Sequence, residues 1–156
     1  MTPTIQQPTI FDKIVDGSIP SWKVWEDGQY LAFLTPFPNT SGFTVVIPKT
    51  NPGDNYLNVD DVAYTGTLLA AKKVAQLLQK AFGVARVGLV IEGEGVPYLH
   101  VKLIPMHGDL SNTGGHTDHE EFFEQYRGYL TTINGPKMSS AQLDQIQAKI
   151  RQAAAA

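Results

Sequence analysis

The sequence lacks cysteine altogether, and this absence excludes disulfide bonds and thiolate metal ligands within its 156 residues. It also lacks any apolar run near the ~20 residues that a membrane-spanning helix needs. The opening stretch, MTPTIQQPTI, has neither the basic start nor the apolar core of a signal peptide. We therefore expect a cytoplasmic protein that does not contact membranes.

The sequence also has no excess of basic over acidic residues. Twelve lysines and arginines stand against fifteen acidic residues, which gives a formal net charge of −3. Surfaces that bind nucleic acid carry clustered positive charge, so we expect no nucleic-acid partner. The hydrophobic share of 42% and the charged share of 17% are typical of a globular chain, and the length suits one domain with its own core.

The N-terminal part of the chain predicts a short helix followed by strands. Residues 1–8 hold prolines and polar side chains and are expected to form a flexible tail. In IFDKIVDGSIP the apolar residues recur at helical spacing. WKVWED and QYLAFL alternate and flank Asp27-Gly28, which predicts a hairpin, and FTVVIP is typical of a central strand.

A long helix and two further strands are predicted next. Between residues 60 and 82 apolar residues recur every three or four positions, and Gly83 is expected to end the helix. ARVGLVIEG and YLHVKLIP follow as strands, and Ser139 or Ser140 begins a helix rich in glutamine and alanine. This order predicts an α+β fold with a mainly antiparallel sheet and its helices, above all the long one, on one side. We place the domain at residues 9–110, with 111–156 as a C-terminal helical extension packed on it.

The stretch VPYLHVKLIP holds the most informative histidine. In a strand, Tyr98, His100 and Lys102 point to one face, while the apolar residues between them point to the other. An isolated strand histidine is more often a surface or hydrogen-bonded residue than a nucleophile. The position of His100 on a mixed polar face, between glycine-rich segments, favours a site, because glycine lets the backbone approach a ligand closely.

Three ordered motifs, IFDKIVDGSIPSWKVWEDGQYLAFL, GFTVVIPK and VPYLHVKLIP, resemble the histidine-triad (HIT) superfamily over roughly residues 10–107. The resemblance implies the family's fold, a homodimer, and transfer or hydrolysis of nucleotidyl groups at the α-phosphate, without a cofactor. The middle histidine of the family's His-x-His-x-His signature is the nucleophile, and it matches His100. Its other ring nitrogen is expected to donate to the main-chain carbonyl of Tyr98. A neutral imidazole can attack phosphorus, and water can cleave the product.

Two of the three triad positions differ in this chain, because Tyr98 and Lys102 replace the first and third histidines. Tyr98 offers a phenolic hydrogen bond and a stacking face to a substrate. Lys102 supplies a positive charge that would stabilise phosphate charge in the transition state. A solvated strand lysine explains position 102 about equally well.

Three residues near the second strand are further candidates for substrate binding. Thr35 occupies the position at which the family commonly has an acidic residue that holds the ribose, and it can make one neutral hydrogen bond there. Phe33 and Phe37 match the region that walls the base pocket in the family. Ordinary core packing is the default interpretation of both rings.

The remaining histidines and acids receive separate predictions. His107 is a candidate to reach a bound phosphate or leaving group, although a loop histidine is the simpler interpretation. His116 and His119 have a spacing that zinc sites use, but two ligands without cysteine are weak support, and we predict no metal. Glu92 and Glu94 would repel phosphate if they faced the site, so both are expected to face solvent.

Two functions remain open. The retained nucleophile and the cation at position 102 favour a nucleotidyl hydrolase or transferase that acts on phosphoramidates or dinucleoside polyphosphates through His100. The loss of two triad histidines and of the acidic ribose anchor favours a weakly active or inactive relative that binds nucleotides. The enzyme, with an altered substrate preference, is the preferred interpretation.

Overall fold

The computed structural model describes residues 7–110, 120–131 and 135–155 of the chain. The chain divides into two compact units, Met1–Leu110 and Ser111–Ala156. Most of the expected N-terminal tail, and both His116 and His119, lie outside the described residues. The packing of the C-terminal extension on the domain stays a prediction.

The first unit contains a five-stranded antiparallel sheet, which confirms the predicted α+β class. The strands are β1 Trp22–Glu26, β2 Tyr30–Leu34, β3 Thr44–Pro48, β4 Val87–Val90 and β5 Val101–Pro105. Their order in the sheet is β1-β2-β3-β5-β4, and every neighbouring pair is antiparallel. The strand that follows His100 therefore lies between two neighbours, where both of its edges are paired.

The hairpin between β1 and β2 forms where Asp27-Gly28 predicted it. The Asp27 carboxylate accepts hydrogen bonds from the backbone N–H groups of Gln29 and Tyr30, each at 2.8 Å. These bonds stabilise the charged carboxylate and hold the pKa of Asp27 below its usual value. The turn chemistry of the sequence was thus sufficient to place this element.

The histidine-bearing strand is shorter than predicted, since β5 begins at Val101 and not at Tyr98. Its pairing with β3 ends at the Val46–Val101 pair. Beyond that pair β3 ends at Pro48, which has no N–H group to donate to a sheet. The backbone at Tyr98 bonds within its own loop instead. His100 therefore lies where the strand opens into a loop.

The longest helix has the ends that its sequence predicts. This helix, α2 Asp61–Phe82, begins at Asp60, whose carboxylate accepts from two backbone N–H groups, and ends at Gly83 with a φ of 64°. In the second unit, α3 Ser140–Ala155 begins at Ser139, whose hydroxyl accepts a hydrogen bond from the first turn. None of the helices in the described ranges combines the length and apolar character of a membrane crossing.

The helices of the first unit lie on opposite faces of the sheet. The long helix α2 packs on the face that carries Val46 and Val101, as the expectation of a long helix on one side requires. The short helix α1 Ile10–Val15 packs on the face that carries Phe33 and Val45. Successive strand residues point to opposite faces, so the expectation that all helices share one side is wrong for α1.

Candidate active site

His100 lies directly before β5, on the sheet face that α1 covers. It is 4% exposed, and its ring packs edge-on against Phe11 with 5.4 Å between the ring centroids. Tyr98 is buried within the cluster on this face, and Lys102 borders the same space. The three residues share a face, as the alternation predicted. That face is a packed and largely apolar surface, however, and not the polar surface that the sequence suggested.

One ring nitrogen of His100 is held by the backbone. Its Nδ1 lies 2.7 Å from the carbonyl oxygen of Tyr98. A carbonyl oxygen only accepts hydrogen bonds, so Nδ1 carries the proton, and Nε2 of the neutral ring carries the free lone pair. This is the contact that the resemblance implied. Because the partner is a main-chain atom, the change from histidine to tyrosine at position 98 leaves it intact.

The Tyr98 side chain supports the site from behind. Its hydroxyl donates to the carbonyl oxygen of Pro48 at 2.6 Å, and its side chain is fully buried. Burial, together with the charge of Asp12, raises the pKa of Tyr98 to about 12. Since its hydroxyl is already bonded and its ring is enclosed, Tyr98 offers neither the hydrogen bond nor the stacking face expected of a substrate-binding residue. The structure gives it a packing role instead.

Phe11 is the residue of this cluster that the sequence motifs did not single out. Its ring packs edge-on against His100 and Phe33, with centroids 5.4 and 5.5 Å apart. A capping box between Thr9 and Asp12 fixes the start of α1 and thereby the position of this ring. Helical spacing in IFDKIV predicts that Phe11 is buried, but spacing cannot tell which strand residues it meets.

A largely apolar cavity of about 450 Å³ opens beside His100 and Lys102. Ligand sites are typically lined by apolar and aromatic side chains, with a few polar groups that fix the orientation of the ligand. The apolar walls of this cavity include Phe11, Ile14, Ile19, Phe33, Phe43 and Val45. His100 therefore borders a partly open, largely apolar cavity that can hold a small molecule.

The cavity brings together the three candidates near β2. Phe33 lies in the wall and is almost fully buried, whereas Phe37 lies at the mouth and is 88% exposed. Core packing therefore does not explain Phe37. The Thr35 hydroxyl also borders the cavity, where it accepts a hydrogen bond from the backbone N–H of Phe37 at 3.2 Å. It keeps its own proton to donate to a ligand.

Ser21 is a polar residue of the cavity wall that sequence reasoning missed. Its hydroxyl oxygen is buried without a hydrogen-bond partner in the described part of the chain. A buried unpaired hydroxyl costs free energy, and this oxygen has almost no exposed surface through which a ligand could reach it. The sequence around it, SIPSWK, contains nothing that distinguishes this serine from an ordinary loop residue.

Lys102 forms an ion pair with Glu92 at the edge of the cavity. The two side chains are 26% and 13% exposed, so the carboxylate is the more buried partner. The expectation that Glu92 faces solvent is therefore wrong, while Glu94 is exposed as expected but also lines the cavity. Partial burial lowers the pKa of Lys102 below its usual value, and the paired carboxylate acts in the opposite direction. The ammonium of Lys102 is thus partly buried and ion-paired, which disagrees with the interpretation of Lys102 as a solvated strand lysine.

His107 lies outside this cavity. Its Nε2 is 2.8 Å from the carbonyl oxygen of Ser41, and its ring packs edge-on against Phe82 at 5.4 Å between centroids. It therefore joins the loop before β3 to the end of α2, which favours the loop interpretation over contact with a substrate. Among the residues that the structure describes, no group of three or more histidine and carboxylate side chains is placed to hold a metal ion.

Comparison with known proteins places these features in a family context. The HIT domain matches residues 16–109 of the chain. The adenosine 5′-monophosphoramidase of Saccharomyces cerevisiae is 26% identical over 138 residues, which cover 85% of this chain and 87% of that protein. The adenylylsulfatase of Arabidopsis thaliana is 33% identical over 103 residues, which cover 62% of this chain and 70% of that protein.

Solved structures show the same similarity in three dimensions. The crystal structure of a member of the HIT family from Bacillus subtilis matches with a TM-score of 0.65 and 26% sequence identity. The match covers 94% of this chain and 96% of that chain. The similarity thus extends beyond the central sheet to most of both chains.

Proposed function

Since this chain belongs to the HIT family, whose members include nucleotide hydrolases, we propose that it is a nucleotidyl hydrolase or transferase with His100 as its nucleophile. The observation that carries the proposal is the hydrogen bond between Nδ1 of His100 and the Tyr98 carbonyl. This bond fixes the proton of the neutral ring on Nδ1, so that Nε2 is the nitrogen with the lone pair in a residue that borders the cavity. The substrate is a nucleoside phosphate derivative whose α-phosphate carries a leaving group. The names of the two relatives, a monophosphoramidase and an adenylylsulfatase, support this class of substrate.

The reaction proceeds in two displacements at phosphorus. In the first, Nε2 of His100 forms a bond to the α-phosphorus, and the bond to the leaving group breaks. The leaving group departs with the bonding electron pair and takes up a proton from solvent. In the second, the oxygen of water or of another acceptor forms a bond to the α-phosphorus, and the bond from phosphorus to Nε2 breaks. Its electron pair returns to the neutral ring of His100, and the proton of the attacking group passes to solvent.

The cavity beside His100 supplies the binding site for the nucleoside. Phe11 and Phe33 provide aromatic walls for a base, and Phe37 at the mouth provides an exposed ring. The Thr35 hydroxyl is a polar group available to the sugar. Lys102 provides the positive charge next to the reacting phosphate.

An inactive relative that binds nucleotides is the second candidate. The pairing of Lys102 with Glu92 favours it, because a neutralised ammonium stabilises developing phosphate charge less than a free one. In that case the cavity is retained for binding, and His100 contributes a contact and no covalent bond.

Hydrolysis by His100→Ala tests the proposal. The wild type and the variant are assayed with adenosine and guanosine phosphoramidates and with dinucleoside polyphosphates. We expect the turnover of the variant to be at least about a thousandfold lower than that of the wild type, because the loss of the nucleophile removes the covalent route. Intact-mass measurement of the wild type, quenched during turnover, is expected to find the protein plus one nucleotidyl group.

His107→Ala is the matched control, because it removes a histidine that follows β5 but lies outside the cavity. Its turnover is expected to remain within about threefold of the wild type. Equal turnover by wild type and His100→Ala would contradict the proposed nucleophile. Nucleotide binding without any turnover by the wild type would favour the second candidate.

A further inference from the structure

The charge of the cavity is set by very few side chains. Among the described residues that line it, Lys102 and Glu94 are the charged ones, and His100 is the proposed nucleophile. Glu92 does not line the cavity, but its carboxylate pairs with the ammonium of Lys102. With Glu92 counted, this group of three charged side chains is negative by one unit.

The segment that carries Glu92 is held in place by the rest of the domain. Gly93 has a φ of 72°, and a Cβ at this position would lie 3.3 Å from the carbonyl oxygen of Asp54, so the backbones approach closely here. Further along, the side-chain amide of Asn51 donates to the carbonyl oxygen of Pro97 at 3.0 Å. Glu92 is therefore attached to a fixed backbone, and the more buried end of the ion pair is the carboxylate.

We propose that Glu92 is a specificity-determining residue that acts through Lys102. By pairing with the ammonium, it removes the net positive charge that would attract a chain of phosphates to His100. The site then discriminates against substrates with several phosphate charges and accepts those whose phosphate carries a single charge. This inference rests on the proposed function, because it concerns the same cavity and the same substrate class.

The test is the relative affinity for nucleotides of different charge. AMP, ADP and ATP, and the matching guanosine series, are titrated by calorimetry with EDTA present, so that each nucleotide carries its own charge. For Glu92→Gln we expect the affinity for ATP relative to AMP to rise roughly tenfold, because the freed ammonium attracts each added phosphate in a partly desolvated site. A ratio in Glu92→Gln equal to that of the wild type overturns the inference.

Glu94→Gln is the matched control. It removes the same charge two positions away, from an exposed side chain that lines the same cavity. Solvent screens an exposed charge, so the ratio is expected to change by less than about threefold. An equal rise in both variants means that bulk charge and not the ion pair sets the preference, and it overturns the inference.

The double variant Glu92→Gln/Lys102→Gln separates action through Lys102 from a structural effect. Without the ammonium, the Glu92 substitution is expected to leave the ratio within about threefold of Lys102→Gln alone. A tenfold rise in this background overturns the inference. If Glu92→Gln does not fold, Lys102→Gln alone decides. In that variant the Glu92 carboxylate has lost its ammonium partner, so we expect the affinity for ATP relative to AMP to fall. An unchanged ratio overturns the inference.

Failure of this inference differs from failure of the proposed function. If the wild type binds nucleotides without turnover, the proposed hydrolase activity is contradicted, but the affinity ratios still test the role of Glu92. If turnover is normal and the ratio is unchanged in Glu92→Gln, only the proposed role of Glu92 is contradicted. A wild type that binds no nucleotide overturns both.

Discussion

A histidine nucleophile needs one ring nitrogen fixed and the other free, and here a main-chain carbonyl fixes the first. The family resemblance implied this contact, and the contact is present here because a backbone acceptor is available whatever side chain stands at position 98. The sequence did not predict that Lys102 pairs with Glu92. Glu92 and Lys102 are ten positions apart, and only the path of the segment between β4 and β5 brings their charges together.

Tyr98→Phe tests the supporting role of Tyr98. Loss of the bond to the Pro48 carbonyl is expected to lower the free energy of unfolding by about 1–2 kcal/mol at neutral pH, with turnover retained. The neutral phenol is favoured in the folded protein, where its pKa is raised to about 12. Its contribution is therefore present below the unfolded pKa of about 10 and is lost as the pH rises towards the folded value.

Urea unfolding at pH 7 and at steps above about pH 9 measures both effects. The phenylalanine variant is expected to lose less stability than the wild type over the alkaline range. A variant whose turnover falls as far as that of His100→Ala would show that the phenol takes part in the reaction.

At the scale of elements, the sequence predicted those parts whose signals are local. The Asp27-Gly28 hairpin and the helix from Asp60 to Gly83 follow from turn residues, caps and apolar spacing within one segment. The start of β5 did not follow, because it depends on Pro48 in a neighbouring strand. The side on which α1 packs did not follow either, since spacing gives the buried face of a helix and not the surface that it meets.

Asp60→Ala tests the helix that supports the sheet from the side opposite His100. Loss of the two N-cap hydrogen bonds is expected to lower the free energy of unfolding by about 1 kcal/mol. Turnover is expected to stay unchanged, because α2 lies on the other face of the sheet. Asp61→Ala removes the same charge one position later and is expected to cost only a few tenths of that amount, about 0.3 kcal/mol. Equal losses in denaturant unfolding would mean that charge and not capping stabilises this helix.

At the scale of the whole molecule, the order of the predicted elements indicated the α+β class, and only the family resemblance implied an assembly. We propose a homodimer through the edge of the sheet formed by β4. The described pairing places β4 at an edge, with β5 as its neighbour, and an open edge of this kind is available to a second chain. Leu89 on this strand is a large apolar side chain that is 46% exposed. An open strand edge that exposes an apolar side chain suits a self-complementary interface.

Light scattering coupled to size-exclusion chromatography tests the dimer. The wild type is expected to have about twice the chain mass of 17.1 kDa, and Leu89→Lys to shift towards the single-chain value because it buries a charge in the interface. Trp22→Lys is the control, since Trp22 is an exposed apolar residue on β1 at the opposite edge of the sheet. Equal masses for the wild type and Leu89→Lys would exclude this edge as the interface.

The smallest helix supplies a wall of the cavity and the ring against which His100 rests. A six-residue helix has little stability of its own, and α1 is retained by its capping box and by the packing of Phe11 and Ile14. The sheet beneath it is held by many more backbone bonds. Local opening of α1 is therefore expected to cost less free energy than global unfolding, so that on warming His100 loses its contact with the Phe11 ring while the sheet is still folded. On this expectation, heat disrupts the cavity before it unfolds the domain.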